Sequence, residues 1–208
     1  VEYKNGADLL VNEIPETDIV QGELNAYGIE IMLRKKRGRL NGWLNYTYSN
    51  ARVEVDSPFP GSRINFGRPY PANYDKPNTF NFVGNYRFSR RLSISGNLVY
   101  STGRPITYPT SIYYQNEKKI ISYSNRNEYR LPDYFRVDFS INLEGNLKKN
   151  KPAHSSWQLS VYNLTGRKNA YSVFFSKEHE QIKGYKMSIF GVPVVTLSYN
   201  FKLGNYAD

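Results

Sequence analysis

Period-two alternation of apolar and polar residues, sustained over long runs, constrains this chain more than any other feature. Successive side chains on a β-strand point to opposite faces, so such a run builds a strand with one apolar and one polar face. From Ala26 to Arg34 the apolar phase is Tyr27, Ile29, Ile31 and Leu33. Leu40, Leu44, Tyr46 and Tyr48 form the next, followed by Phe80, Phe82, Tyr86 and Phe88, and by Leu92, Ile94, Leu98 and Tyr100. Phe135, Val137, Phe139, Ile141 and Leu143 make a fifth run. Trp157, Leu159 and Val161 belong to a sixth, and Val195, Leu197, Tyr199, Phe201 and Leu203 to a seventh. Val1–Lys4 is a candidate end of an eighth. Almost no stretch carries the i, i+3, i+4 spacing of an amphipathic helix, so the expected fold is all-β.

The connections fall into two kinds. Tight turns join the runs at Lys36-Arg37-Gly38 and at Ser89-Arg90-Arg91, and the short Lys148–Ser155 segment joins the fifth and sixth. The alternate connections, Ala51–Pro77, Gly103–Pro132 and Thr165–Val192, are each about 30 residues long, a length that usually signals function or disorder. Within the second, Ile112–Tyr114 and Lys119–Ser122 flank Asn116-Glu117 and read as a projecting hairpin. Short turns on one side and long loops on the other are the pattern of an antiparallel up-and-down transmembrane β-barrel.

Alternation alone is equally compatible with a soluble sandwich that buries the apolar face. Three features favour lipid. The runs are about 10 to 13 residues long, against roughly 5 or 6 in most globular proteins. Aromatic residues gather at their ends, with Tyr46, Tyr48 and Tyr100 toward the long loops and Phe88 and Phe201 toward the short turns. The opposite face carries Glu30, Arg34, Arg87, Arg136, Asp138 and Glu144, which suits a wet lumen. Mean hydropathy is −0.63, and no run approaches the roughly 18 apolar residues of a membrane helix.

The formal net charge of +10 has an address. Basic residues crowd the three short turns with no acidic residue among them, as in Arg34-Lys35-Lys36-Arg37-Gly38-Arg39. Such clusters are most often solvated turns, with contact to anionic head groups as the second reading. A nucleic-acid partner is not expected, because the cations fall on turns and not on one sheet face.

No feature points to an enzyme. The chain lacks Cys, so it has neither disulfides nor a thiolate zinc site. Gly-x-Ser-x-Gly, a phosphate-binding glycine loop, His-Glu-x-x-His and the Asp-x-Asp-Gly calcium pattern do not occur. His154 and His179, in a turn and a loop, read as solvated. Asp138 and Glu144 share a face but lie about 20 Å apart along a strand, too far for a carboxylate pair. No catalytic residue, metal or cofactor is expected. What remains is the second long loop. Arg104, Tyr108, Tyr113, Tyr114, Tyr123, Arg126, Tyr129 and Arg130 are the substrate-facing candidates, since rings and guanidinium groups stack on sugars or clamp acidic ligands. The competing reading is that these tyrosines pack loops against one another.

Several stretches resemble a known family. Ala26-Tyr27-Gly28-Ile29-Glu30 leading into Gly42-Trp43-Leu44-Asn45-Tyr46-Thr47-Tyr48-Ser49 resembles two strands late in the barrel of TonB-dependent outer-membrane receptors. Gly103-Arg104-Pro105 and then Leu131-Pro132-Asp133-Tyr134-Phe135-Arg136-Val137-Asp138 are similar to the pair that follows. Val161-Tyr162-Asn163-Leu164-Thr165-Gly166-Arg167-Lys168-Asn169 resembles the penultimate strand, and Ser188-Ile189-Phe190-Gly191-Val192-Pro193 running into Thr196–Phe201 resembles the last. The likeness is to receptors of the Bacteroidetes type and spans the whole chain.

The resemblance implies that residues 1–208 are a single C-terminal segment, about 7–8 strands of a larger barrel, with no plug domain or energy-coupling box within them. Family barrels have about 22 strands around a plug, and an open sheet leaves edges that lipid cannot satisfy. The partners implied are the remainder of the same receptor (plug and N-terminal strands), outer-membrane lipid, the TonB energy-coupling system reached through the plug, the barrel-assembly machinery, and a surface lipoprotein. Tyr199 and Phe201 would carry the assembly signal, although Lys202–Asp208 follow where the family commonly ends on its aromatic residue. The implied function is import of a siderophore, cobalamin, glycan or peptide across the outer membrane. The alternative is a structural or adhesive barrel segment that binds a partner protein without transport.

Overall fold

The computed structural model describes residues 2–4, 19–115, 118–145, 153–178 and 181–203. Seven long strands dominate it: β1 (Glu23–Lys35), β2 (Leu40–Glu54), β3 (Asn78–Arg87), β4 (Leu92–Ser101), β5 (Tyr134–Glu144), β6 (Ala153–Tyr162) and β7 (Val194–Leu203). They form one antiparallel sheet in strict chain order, with the short Tyr70–Pro71 strand added beside the upper part of β2. The chain is therefore all-β and up-and-down, and no α-helix occurs among the described residues.

The register aligns every apolar phase. Leu40, Tyr86, Ile94, Ile141, Leu159 and Leu197 stand in one cross-strand row over six strands. Leu33, Leu44, Phe82, Leu98 and Val137 stand in another. The opposite face is largely polar, with Asn41, Asn85, Ser95, Ser140, Ser160 and Thr196 in one row, although Trp43, Val83 and Val99 also lie on it. Slipping any strand by one residue would move its apolar set into the polar face, so this pattern fixes the register. Among the described residues no second layer covers the apolar face; its side chains are exposed on the outer strands, 65% at Leu197 and 66% at Ile29, and half-buried among their neighbours at Leu44, Leu98 and Phe139.

The buried core lies elsewhere. Along β2 the outward apolar phase ends at Tyr48, and the opposite phase becomes buried at Ala51, Val53 and Val55. These residues pack under Ile64, Tyr70 and Ala72 of the first long loop, with Val20. The inversion marks a change of surroundings along a single strand. Leu40 to Tyr48 spans about 27 Å of strand, or about 20 Å of height after a tilt of roughly 40°, close to the roughly 25 Å apolar band of an outer-membrane barrel.

Three sequence expectations need correction. Glu2–Tyr3 does not extend the sheet; it pairs with Ile19–Val20 in a separate ladder. His154 is not solvated: β6 starts at Ala153, which puts the histidine on the polar face opposite Lys202, where it is buried. The third long loop carries a hairpin, Ser172–Glu178 with Gln181–Met187, that the turn residues gave no reason to expect. The expected hairpin in the second loop forms from Pro109–Gln115 and Lys118–Tyr123. Asn116, Glu117, His179 and the lysines at 148, 149 and 151 lie outside the described residues.

Candidate functional site

The long loops are locked to the sheet and to each other by a small set of polar side chains. At the base of the second loop the Gly103 N–H donates to Asp133 Oδ1 (3.0 Å) and the Tyr100 hydroxyl donates to Asp133 Oδ2 (2.8 Å). These two donors hold the Asp133 carboxyl below its ordinary value. Gly103 is obligatory here, since a Cβ at this position would sit 1.7 Å from the Leu131 carbonyl oxygen. The Asn65 carboxamide pairs with the Arg126 backbone in both directions, accepting from its N–H at 2.7 Å and donating to its carbonyl at 3.0 Å. Asn127 Nδ2 donates to the Pro71 carbonyl and to Asn73, each at 2.8 Å. Arg130 forms a short ion pair with Asp75 and also donates to the Asp75 and Gly103 carbonyls, both at 3.0 Å. The Asp75 side chain is 1% exposed, and its other oxygen accepts from the Ala51 N–H. First loop, second loop and sheet thus meet at one buried carboxylate.

The eight candidate residues divide by environment. Arg126 and Arg130 are committed to loop contacts, Arg126 donating to Glu2 and to the Lys4 carbonyl. Tyr108 packs edge-on against Phe175 of the third-loop hairpin, with centroids 5.0 Å apart, and against Tyr129 at 5.7 Å. Its role is to join two loops. Tyr113, Tyr114 and Tyr123 are exposed on the second-loop hairpin, and Tyr129 is half exposed. Arg104 is exposed and makes no hydrogen bond or ion pair through its side chain among the described residues. Tyr199 and Phe201 lie on the apolar phase of β7, opposite Trp157 and Ser155.

A cluster on the polar face emerges that spacing alone did not mark as a site. Arg136 on β5 donates to Asp138 (3.0 Å), to the Tyr134 hydroxyl (3.0 Å) and to the Tyr162 hydroxyl (2.9 Å), and its guanidinium carbon lies 4.5 Å from the Tyr162 ring centre. Asp138 is further held by Asn97 Nδ2 and by the Asn163 N–H. The readable signal was the i, i+2 Arg-x-Asp on one strand, preceded by Tyr134 on the same face; Tyr162 comes from the neighbouring strand. Above this cluster opens a cleft of about 670 Å³, walled by Lys76, Arg104, Tyr134, Tyr171 and Phe190. Its size is within the usual range of small-ligand sites. Free cations beside exposed rings suit an anionic or hydroxyl-rich ligand. A second cleft, about 690 Å³, lies between the first two loops with Arg52, Arg68 and the exposed Phe66 at its edge. Phe66 has φ 60°, strained for a residue with a bulky side chain, between Asn65 and Gly67, which also have positive φ.

On the third-loop hairpin Lys183 and Tyr185 donate to Glu178, which lowers its carboxyl pKa and raises that of the phenol. Among the described residues no group of His, Cys, Asp and Glu is arranged to hold a metal ion.

Compared with protein-family models, with curated proteins and with solved structures, the chain has no match in any of the three.

Proposed function

We propose that the chain is the C-terminal barrel wall and outer loops of a TonB-dependent outer-membrane transporter. One observation carries the reading: the register joins the apolar phases into a continuous face that no second layer covers among the described residues, while the other face is largely polar and holds the charged residues of the strands. A sheet of this kind suits lipid on one side and water on the other, and the strand length and the aromatic strand ends favour that over a covered sandwich. The free edges of β1 and β7 then require further strands to close the barrel, because unpaired backbone groups are costly in lipid. The motif resemblance supports the family, and the loop-level cleft above Arg136 supports a role in holding a small anionic or hydroxylated solute on its way to the lumen.

The test is site-directed labelling in outer membranes. Cysteines at Leu98 and Phe139 should react with an apolar probe and resist an aqueous maleimide, and cysteines at Asn97 and Ser140 should do the reverse. Equal aqueous labelling at all four positions would overturn the barrel. Transport itself is read by uptake in whole cells. Loss of uptake in Arg104→Ala at unchanged receptor abundance supports import, whereas no uptake of any of the four candidate solute classes by the native receptor leaves the adhesive reading in its place.

A further inference from the structure

The apolar face does not fade into solvent at the short-turn end; it stops at a row of cations. The pairing of β2 with β3 sets the first two turns side by side, with the Arg87 N–H donating to the Arg39 carbonyl at 2.8 Å. The β4–β5 pairing carries the edge onward, the Glu144 N–H donating to the Arg91 carbonyl at 2.7 Å. Lys35, Lys36, Arg37, Arg39, Arg90 and Arg91 therefore lie along one rim, all exposed. None of them forms an ion pair among the described residues. The Glu144 carboxylate, at the end of β5 on this edge, accepts from Asn142, and Arg91 donates to the Glu144 main-chain oxygen. Immediately behind the rim come the exposed outward side chains Leu33, Leu40, Phe88 and Leu92. Phe88 stands edge-on to Tyr86, with centroids 4.7 Å apart, as an aromatic pair at the boundary.

A solvated turn needs polarity but not a single sign of charge, and six like charges on one edge repel one another unless something opposes them. What meets this edge is set by its neighbours: the groups next to an apolar band, at the level of an aromatic pair, are lipid head groups. We infer that this rim is a binding surface for anionic phospholipid head groups in the leaflet on the short-turn side. The inference rests on the membrane reading above. A phosphodiester oxygen accepts from Lys ammonium and Arg guanidinium groups alike, and the flanking Leu and Phe side chains lie where the first acyl carbons begin. The rim then seats the barrel at a fixed depth and retains an anionic lipid annulus on that side.

The experiment uses the assembled barrel purified from outer membranes and placed in nanodiscs of phosphatidylcholine containing about one third phosphatidylglycerol. Lipid retained through delipidation is measured by mass spectrometry. The native protein should keep phosphatidylglycerol over phosphatidylcholine, by at least tenfold at low salt, with the preference falling as salt rises. Lys35→Gln, Lys36→Gln, Arg37→Gln and Arg90→Gln combined should abolish it. Arg37→Lys with Lys36→Arg, which keeps the charge, should preserve it. Insertion with no phosphatidylglycerol preference, or a preference unmoved by the four neutral substitutions, overturns this inference and leaves the barrel intact. Failure of the native protein to insert into either lipid overturns the barrel reading and this one with it. Retention of DNA or of an acidic protein by the rim with no lipid preference likewise overturns it.

Discussion

Replacing Arg130 by alanine strands the Asp75 carboxylate, which is buried where first loop, second loop and sheet converge. Removing one partner of a buried ion pair costs on the order of 3–5 kcal/mol, because the surviving charge keeps its desolvation penalty. Arg130 is itself partly open to water, so the lower end applies. Arg130→Ala should therefore lower thermal stability and receptor abundance, checked by a melting curve and by immunoblot of outer membranes. Arg104→Ala should leave both unchanged, since its guanidinium holds nothing among the described residues. Both residues looked alike in sequence, as loop arginines among tyrosines. What separates them is an aspartate about 55 positions away in the first loop, a relation that a local pattern cannot carry. Asp133 gives the residue scale its pH dependence. Its carboxyl is held below the ordinary value of 3.8 by the Gly103 N–H and the Tyr100 hydroxyl, so the ionised form stabilises the loop base above that pH. The contribution declines as pH falls below about 4 and the carboxylate takes up its proton. Protease cleavage near Gly103 should rise over that range in the native protein, and Asp133→Asn should be cleaved to the same extent at every pH.

At the scale of the strand, the outcome depended on how many residues repeat the pattern. β5 runs from Tyr134 to Glu144 and β4 from Leu92 to Ser101, within a residue or two of where their alternation begins and ends. β2 was legible only to Ser49. Beyond it Ala51 and Val53 continue the strand, and Val55 follows it, with the apolar residues on the other face, which reads as the end of a pattern when it is a change of surroundings. The third-loop hairpin was hidden for a different reason: no Gly, Asn or Pro marks a turn between Glu178 and Gln181. The last strand carries a prediction of its own. β7 extends to Leu203 and pairs with β6 along its full length, so Lys202 and Leu203 belong to the wall and should not be trimmed. Removing residues 204–208 should leave assembly unchanged. Phe201→Ala should reduce outer-membrane levels of the full receptor several-fold, measured by quantitative blotting, because it strips the apolar face near the short-turn end of the strand that the assembly machinery is expected to read. Normal levels for Phe201→Ala would remove that role.

On the scale of the whole molecule, one sheet presents three zones from end to end: a basic rim, an apolar band, and a crown of locked loops. Charge placed in the band should be costly, about 2–4 kcal/mol near the midplane. Phe139→Arg should block assembly, and Ser140→Arg, one residue on and facing the polar side among Ser95 and Ser160, should be tolerated. Asp138 would be a poor control for that comparison, since it is the counter-ion of Arg136 and the anchor of the Asn163 N–H. On the membrane reading proposed above, the order of the zones also gives a direction. Long loops lie outside the cell and short turns in the periplasm in barrels of this architecture. An epitope inserted between Gln115 and Lys118 should therefore bind antibody on intact cells, and one inserted between Ser89 and Arg90 only after the outer membrane is broken. Deleting residues 112–122 should then weaken solute uptake without lowering abundance, because the exposed Tyr113 and Tyr114 leave with the hairpin while Tyr108, which packs on Phe175 from outside it, stays in place. The two tags giving the opposite pattern would invert the topology, and the solute cleft and the lipid rim would exchange compartments. If both tags behave as expected and uptake survives the deletion, the hairpin tyrosines lose their claim on the solute. The cleft above Arg136, walled by Lys76, Arg104 and Tyr171, then carries the contact alone.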